Sequence, residues 1–206
     1  MPEIKTNKIS PATGTAFTIG DSGDTFTVPS GATIVNSGTA TGFGGGKINQ
    51  VIHTLKQDTF TFTTDDAWQD VTDMTCAITP SATDSLILVN VSMTGGTTGG
   101  VTPQLKVQRD IGGGGYSDCD KLCGTAAGSR KAATMGTLYA IDGSQIMTMN
   151  MTGLDNPATT SAVTYKVQLY ADNVTTTTNV GTSGQDADNV QQSRYPNTIT
   201  CMEVLA

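Results

Sequence analysis

Residues 14–42 read GTAFTIGDSGDTFTVPSGATIVNSGTATG. Phe17-Thr18-Ile19 is followed nine residues later by Phe26-Thr27-Val28, and Ile34-Val35 is a looser third copy. Each apolar group closes on a turn cluster: Gly20-Asp21-Ser22-Gly23, then Pro29-Ser30-Gly31, then Asn36-Ser37-Gly38. Apolar residues alternating with Thr between such clusters predict short strands. Full burial of a large apolar side chain contributes roughly 1.5–3 kcal/mol. Ordering each residue costs about 1–2 kcal/mol, and here small and polar residues far outnumber the large apolar ones. A single chain therefore cannot stabilise this stretch alone. The reading is a narrow stalk in which several identical chains wind their strands about one axis, with Phe17, Ile19, Phe26, Val28 and Ile34 as its core. A flexible Thr/Gly linker is the plain alternative.

Outward from this stretch, the chain divides into three. Residues 1–13 form a short leader, read as a docking tip. Residues 14–46 are the thin repeat, ending in the glycine hinge at Gly42-Phe43-Gly44-Gly45-Gly46. Residues 47–206 form the larger domain. The glycine run is not a phosphate loop: Thr41 stands where the first Gly of that motif belongs, and Ile48 replaces its Ser or Thr.

The 206 residues carry a net charge of −7, with 14% charged and 5% aromatic residues. Thr, which suits half-exposed pleated surfaces, is the commonest type, and no helical heptads occur. The chain is read as all-β. Its scattered Lys and Arg argue against a nucleic-acid partner. No run approaches the length of a membrane span, so membrane insertion is not expected. The start, MPEIKTNKIS, has no signal-peptide apolar region, which predicts synthesis in a cytoplasm.

From Ile48 onward the strands lengthen. Expected strands are 48–55, 59–62, a short piece at 68–71, a separate one through Met74, Cys76 and Ile78, then 86–93, 105–109, 132–141, 145–151, 163–171 and 198–205. Residues 111–128 read as a glycine-rich loop and 175–189 as a polar one. Eight to ten strands with Gly-rich turns predict a β-sandwich of jelly-roll type, its last strand paired inside a sheet.

No catalytic, cofactor or metal site emerges. His53 lies in a strand without a nucleophile or acid context. Cys76 and Cys201 fall in core phases of strands, and a bridge between Cys119 and Cys123 stays open; no zinc spacing is present. Asp65, Asp66, Asp70 and Asp73 crowd around Trp68, Asp118 and Asp120 flank Cys119, and Asp186 and Asp188 share a late loop. These lack a calcium or glycosidase spacing and read as solvated loops. Met147, Met149 and Met151 share a face that belongs to the core or to a subunit contact. Trp68, Tyr116 and Tyr195 lie in or beside loops, where sugars are often stacked, and are the candidate receptor contacts.

The segment Gly20–Gly42 resembles the GD-T-TVPSGATI-NSGTA phrases of tail-fibre-like proteins of tailed phages, particularly marine ones. Residues 47–93 and the closing Arg194-Tyr195-Pro196 stretch look like the distal domain of the same proteins. The resemblance implies a homotrimeric virion fibre with a slender stalk and a globular knob. It implies attachment to a phage tail or capsid protein through residues 1–13, and a knob facing a host-surface glycan or protein. The chain is shorter than such fibres and lacks a large adaptor domain, which leaves a capsid-decorating head fibre as the alternative. A small glycan depolymerase and a monomeric lectin-like module are the rival classes.

Overall fold

A computed structural model describes residues 9–11, 13–16, 18–35, 48–64, 66–136, 142–172 and 176–205. Phe17, Asp65, most of the leader, the hinge at 42–46 and the far half of the expected 132–141 strand lie outside the described residues. Contacts divide the chain into two compact units, Met1–Phe43 and Gly44–Ala206.

In the first unit, turns form at the first two predicted clusters; the third, Asn36-Ser37-Gly38, lies outside the described residues. Asp24 N donates to Asp21 O and Ala32 N to Pro29 O. Gly20, Gly23 and Gly31 take positive φ there. The expected strands are not formed in the single chain: residues 18–35 are turn and irregular backbone. Extended segments without a partner leave their ladder groups unpaired, so nothing fixes them as strands. Ile19, Phe26, Val28 and Ile34 are all exposed in the single chain, Phe26 at 68%.

The second unit is all-β, with no helix among the described residues. Its strands are β1 (Ile48–Lys56), β2 (Phe60–Phe62), β3 (Gln69–Ile78), β4 (Leu86–Thr97), β5 (Gln104–Ile111), β6 (Ser117–Asp118), β7 (Met135–Gly136), β8 (Met147–Asp155), β9 (Val163–Tyr170), β10 (Thr178–Val180) and β11 (Asn197–Val204). They form two antiparallel sheets. In the first, β4 carries β11 on one side and β8 on the other. Gly95 pairs both Met147 and Val180, so β10 continues the β11 row end to end. β1 and β2 flank that row. In the second sheet β9 lies between β3 and β5, and β6 and β7 share the far side of β5. The pairing is nested: β1 with β11, β3 with β9, β4 with β8, and β5 with β6 and β7.

The period-2 pattern of the long strands builds the core. Ile87, Val89, Val91 and Met93 of β4 face Leu105, Val107, Val167 and Leu169 of the other sheet in one buried cluster. Met149 joins it and Met151 packs against it, which assigns the methionine face to the core. Cys76 and Cys201 are buried, and all four cysteines are free thiols.

Three expectations need correction. The pieces at 68–71 and 74–78 are one strand, β3, broken in register between Asp70 and Thr75. Val71 and Met74 are both buried although three positions apart: from Asp70 to Thr75 the strand advances five positions while β9 advances two, and Asp73 at φ 61° lies within this irregularity. The polar stretch 175–189 is not all loop: it contains β10, and Thr182 and Ser183 are completely buried, while residues 185–189 are exposed. The glycine-rich loop 111–128 contains β6.

Candidate functional site

The outer face of the second sheet gathers most of the chemistry. Alternation in β9 turns Val163, Tyr165, Val167 and Leu169 inward, leaving Lys166, Gln168 and Tyr170 outside. Alternation in β5 does the same for Lys106 and Gln108. Strand register places Lys106 beside Gln168 and Gln108 beside Lys166. Asp70 of β3 stands opposite Gln168 on the other flank, and Asp118 of β6 stands opposite Gln108.

Aromatic rings roof this polar floor. Trp68, just before β3, packs against Tyr170 with ring centroids 5.5 Å apart and planes tilted by 44°. Lys106 Nζ lies 4.5 Å from the Trp68 ring, Lys131 Nζ 4.7 Å from the Tyr170 ring, and Lys166 Nζ 4.1 Å from the Tyr116 ring. Such cation–π contacts hold the ammonium groups in place.

Each lysine also meets a carboxylate. Lys166 donates to Asp70, which accepts Gln168 Nε2 at 2.6 Å as well. Lys106 and Gln108 donate to Asp118 at 2.9 and 2.8 Å. Tyr170 Oη donates to Asp66 at 2.6 Å, and Lys131 lies 3.2 Å from the same oxygen. The Tyr170 hydrogen bond, then Lys131, holds Asp66 below the usual carboxylate range. Partial burial pushes Asp70 up, but its bonds from Lys166 and Gln168 outweigh that and lower it. Asp118 is lowered in the same way by Gln108 and Lys106. At neutral pH the cluster thus sets three ammonium groups against three carboxylates, fixed and mutually neutralised.

Two sequence candidates, Trp68 and Tyr116, come together on this face. Tyr195 does not: its N–H donates to Gly181 O after β10, in the other sheet. Sequence reasoning missed Tyr170, Lys106, Lys166 and Gln168. Their signal was present, since the positions between the core residues of β9 carry a Lys, a Gln and a Tyr. His53 is exposed on β1, its Nδ1 2.8 Å from Thr200 Oγ1. In the late acidic loop, Asp186 accepts from Thr182 Oγ1 at 2.8 Å and pairs with Arg194 at 3.1 Å.

Tyr170 and Gln168 are themselves buried, so the surface offered is Trp68 and the exposed Tyr116, beside Gln108, the lysine–carboxylate pairs and a further carboxylate, Asp110 of β5; aromatic rings among fixed polar groups suit a polyhydroxylated ligand. No group of His, Cys, Asp or Glu among the described residues is placed to hold a metal ion. No helix among them is long and apolar enough to cross a membrane. Protein-family models give no match to the chain, and curated proteins give none.

Proposed function

We propose that this chain is a structural virion fibre protein of a tailed phage, a homotrimer with a thin stalk and a jelly-roll knob that contacts the host surface. The observation that carries the reading is the first unit. Ile19, Phe26, Val28 and Ile34 recur between formed turns and lie exposed in the single chain, as a segment awaiting identical neighbours does. The jelly-roll assignment rests on the nested pairing of the second unit, first strand with last and so inward. The resemblance of Gly20–Gly42 to tail-fibre phrases supports the virion location, with residues 1–13 docking on a tail or capsid protein.

Within this reading the Trp68–Tyr170–Tyr116 face is the host contact, and a surface glycan is its partner. Three copies presenting this face together gain avidity from weak single sites. In this reading the role is binding. Asp66, Asp70 and Asp118 are each held by a lysine and a neutral donor, which keeps them ionised as fixed charges rather than as general acids.

The test is binding of the purified full chain to host-envelope polysaccharide, read by surface plasmon resonance. Wild type binds, and Trp68→Ala and Tyr116→Ala each weaken binding at least tenfold. Unchanged binding in both variants removes this face from the reading. Gold labelling of virions against this protein places it on the tail or the head; absence from both overturns the fibre.

A further inference from the structure

The outer face of the first sheet is built on a different plan. Register aligns Val51, Met202, Leu88 and Leu154 in one row across β1, β11, β4 and β8. Ile48 and Val204 pair alongside that row. Val51 is 53% and Leu154 48% exposed. The next rows are polar but already paired within the sheet. Asn90 Nδ2 donates to Thr152 Oγ1 at 2.6 Å, and Ser92 Oγ donates to Asn150 Oδ1 at 2.8 Å. His53 shares a hydrogen bond with Thr200. Groups satisfied in this way lose little when water is removed from above them. The outward positions of β1, β4, β8 and β11 contain no Asp, Glu, Lys or Arg.

We infer that this face is the contact between copies of this chain; the inference rests on the homotrimeric reading above and assigns its knob interface. Charge names the occupant. A chain of net charge −7 repels its own copies, and this uncharged face is where that repulsion has no local source. The area is modest. Four strand positions about 4.8 Å apart and nine residues long present roughly 570 Å² per copy. Shared between two neighbours, this gives each pair of copies about 570 Å² in total, below the roughly 1,200 Å² of a stable two-body interface, so the contact adds to the association made by the stalk and does not replace it.

The experiment is native mass spectrometry and light scattering on the full chain, with hydroxyl-radical labelling of Met202. Wild type is expected as three copies with Met202 protected. In the double variant Val51→Lys/Leu154→Lys, whose stalk is unchanged, Met202 is expected to be labelled with the sheet circular-dichroism signal retained. Thr152→Arg, at an exposed polar position, raises Met202 labelling at least tenfold and decides the matter if the double variant unfolds. A wild-type trimer whose folded variants all keep Met202 protected overturns this interface and leaves the homotrimer standing. A single-copy wild type overturns both, and protection of Met202 in it assigns the cover to another segment of the same chain.

Discussion

Glu203 is completely buried, and its four hydrogen-bond donors are neutral: Ser81 N and Oγ, Asn49 Nδ2 and Gln50 Nε2. Burial pushes this carboxyl up, but the bonds from Ser81, Asn49 and Gln50 prevail and hold it at about 2, against 4.5 when free. The folded-state value lies below the unfolded one. The carboxylate therefore stabilises the fold above about pH 4.5, and that contribution is lost as pH falls toward 2, amounting to roughly 3 kcal/mol. Urea unfolding of wild type and Glu203→Gln between pH 2.5 and 6 checks this: the wild-type curve slopes through the window and the variant's slope is smaller. A second buried carboxylate, Asp155, accepts from Arg109 and from Tyr165 Oη at 2.8 Å. Burial, then Asp155, raises the Tyr165 phenol and pushes the Cys119 thiol up to about 12. Asp155→Ala leaves the Arg109 guanidinium only the more distant carboxylate of Asp120, at 3.7 Å, and strands the Tyr165 hydroxyl; it is expected to cost about 3 kcal/mol, whereas Tyr165→Phe costs about 1–3 kcal/mol, both measured by denaturant midpoint. Arg109 was legible as an inward residue, because it continues the phase of Leu105 and Val107. Asp155 was not, since an Asp before Asn-Pro reads as an ordinary turn residue and its partners lie on other strands.

Elements were legible where alternation is unbroken, as in β4, β9 and β11, and illegible where a long-range contact sets the conformation. Nothing local marks the bulge in β3, because Val71 and Met74 are both inward only when β9 and the opposite sheet are present. The stretch around β10 is polar for a similar reason. Asn179 Nδ2 donates to the carbonyls of Ser183 and Gly184, and Ser183 Oγ donates to Gln192 at 2.6 Å. Its polar side chains replace solvent for a loop pressed onto β4. That press is close enough to require glycine. A Cβ on Gly184 would stand 2.2 Å from Thr97 C, and one on Gly96 would stand 2.5 Å from Gly184 N. Both obstacles are backbone and cannot swing aside. Gly184→Ala is expected to lower stability by about 3 kcal/mol, read as a lower melting midpoint, while Gly113→Ala meets no neighbouring atom and bears only its positive-φ strain.

At the scale of the whole molecule, the two outer sheet faces divide the work in our proposal: one charged and aromatic for the host, one uncharged for other copies. Their difference was legible only in part, since the sequence shows which residues alternate but not which strands lie side by side. The nested pairing also makes β11 central, with β1 on one side and β4 on the other. Removing residues 197–206 therefore leaves β1 unpaired and opens the edge of β4. The shortened chain is expected to show no cooperative thermal transition, and a sharp transition in it would contradict the central placement of β11. The same pairing has a consequence for synthesis. His53 and Thr200 meet across 147 positions of chain, so β1 leaves the ribosome long before its partner exists. At about 5–20 residues per second the wait is roughly 7–30 s. Throughout it Ile48, Val51 and Leu55 have no sheet to join, and the nascent chain must be kept from its neighbours on the polysome until the closing strand emerges.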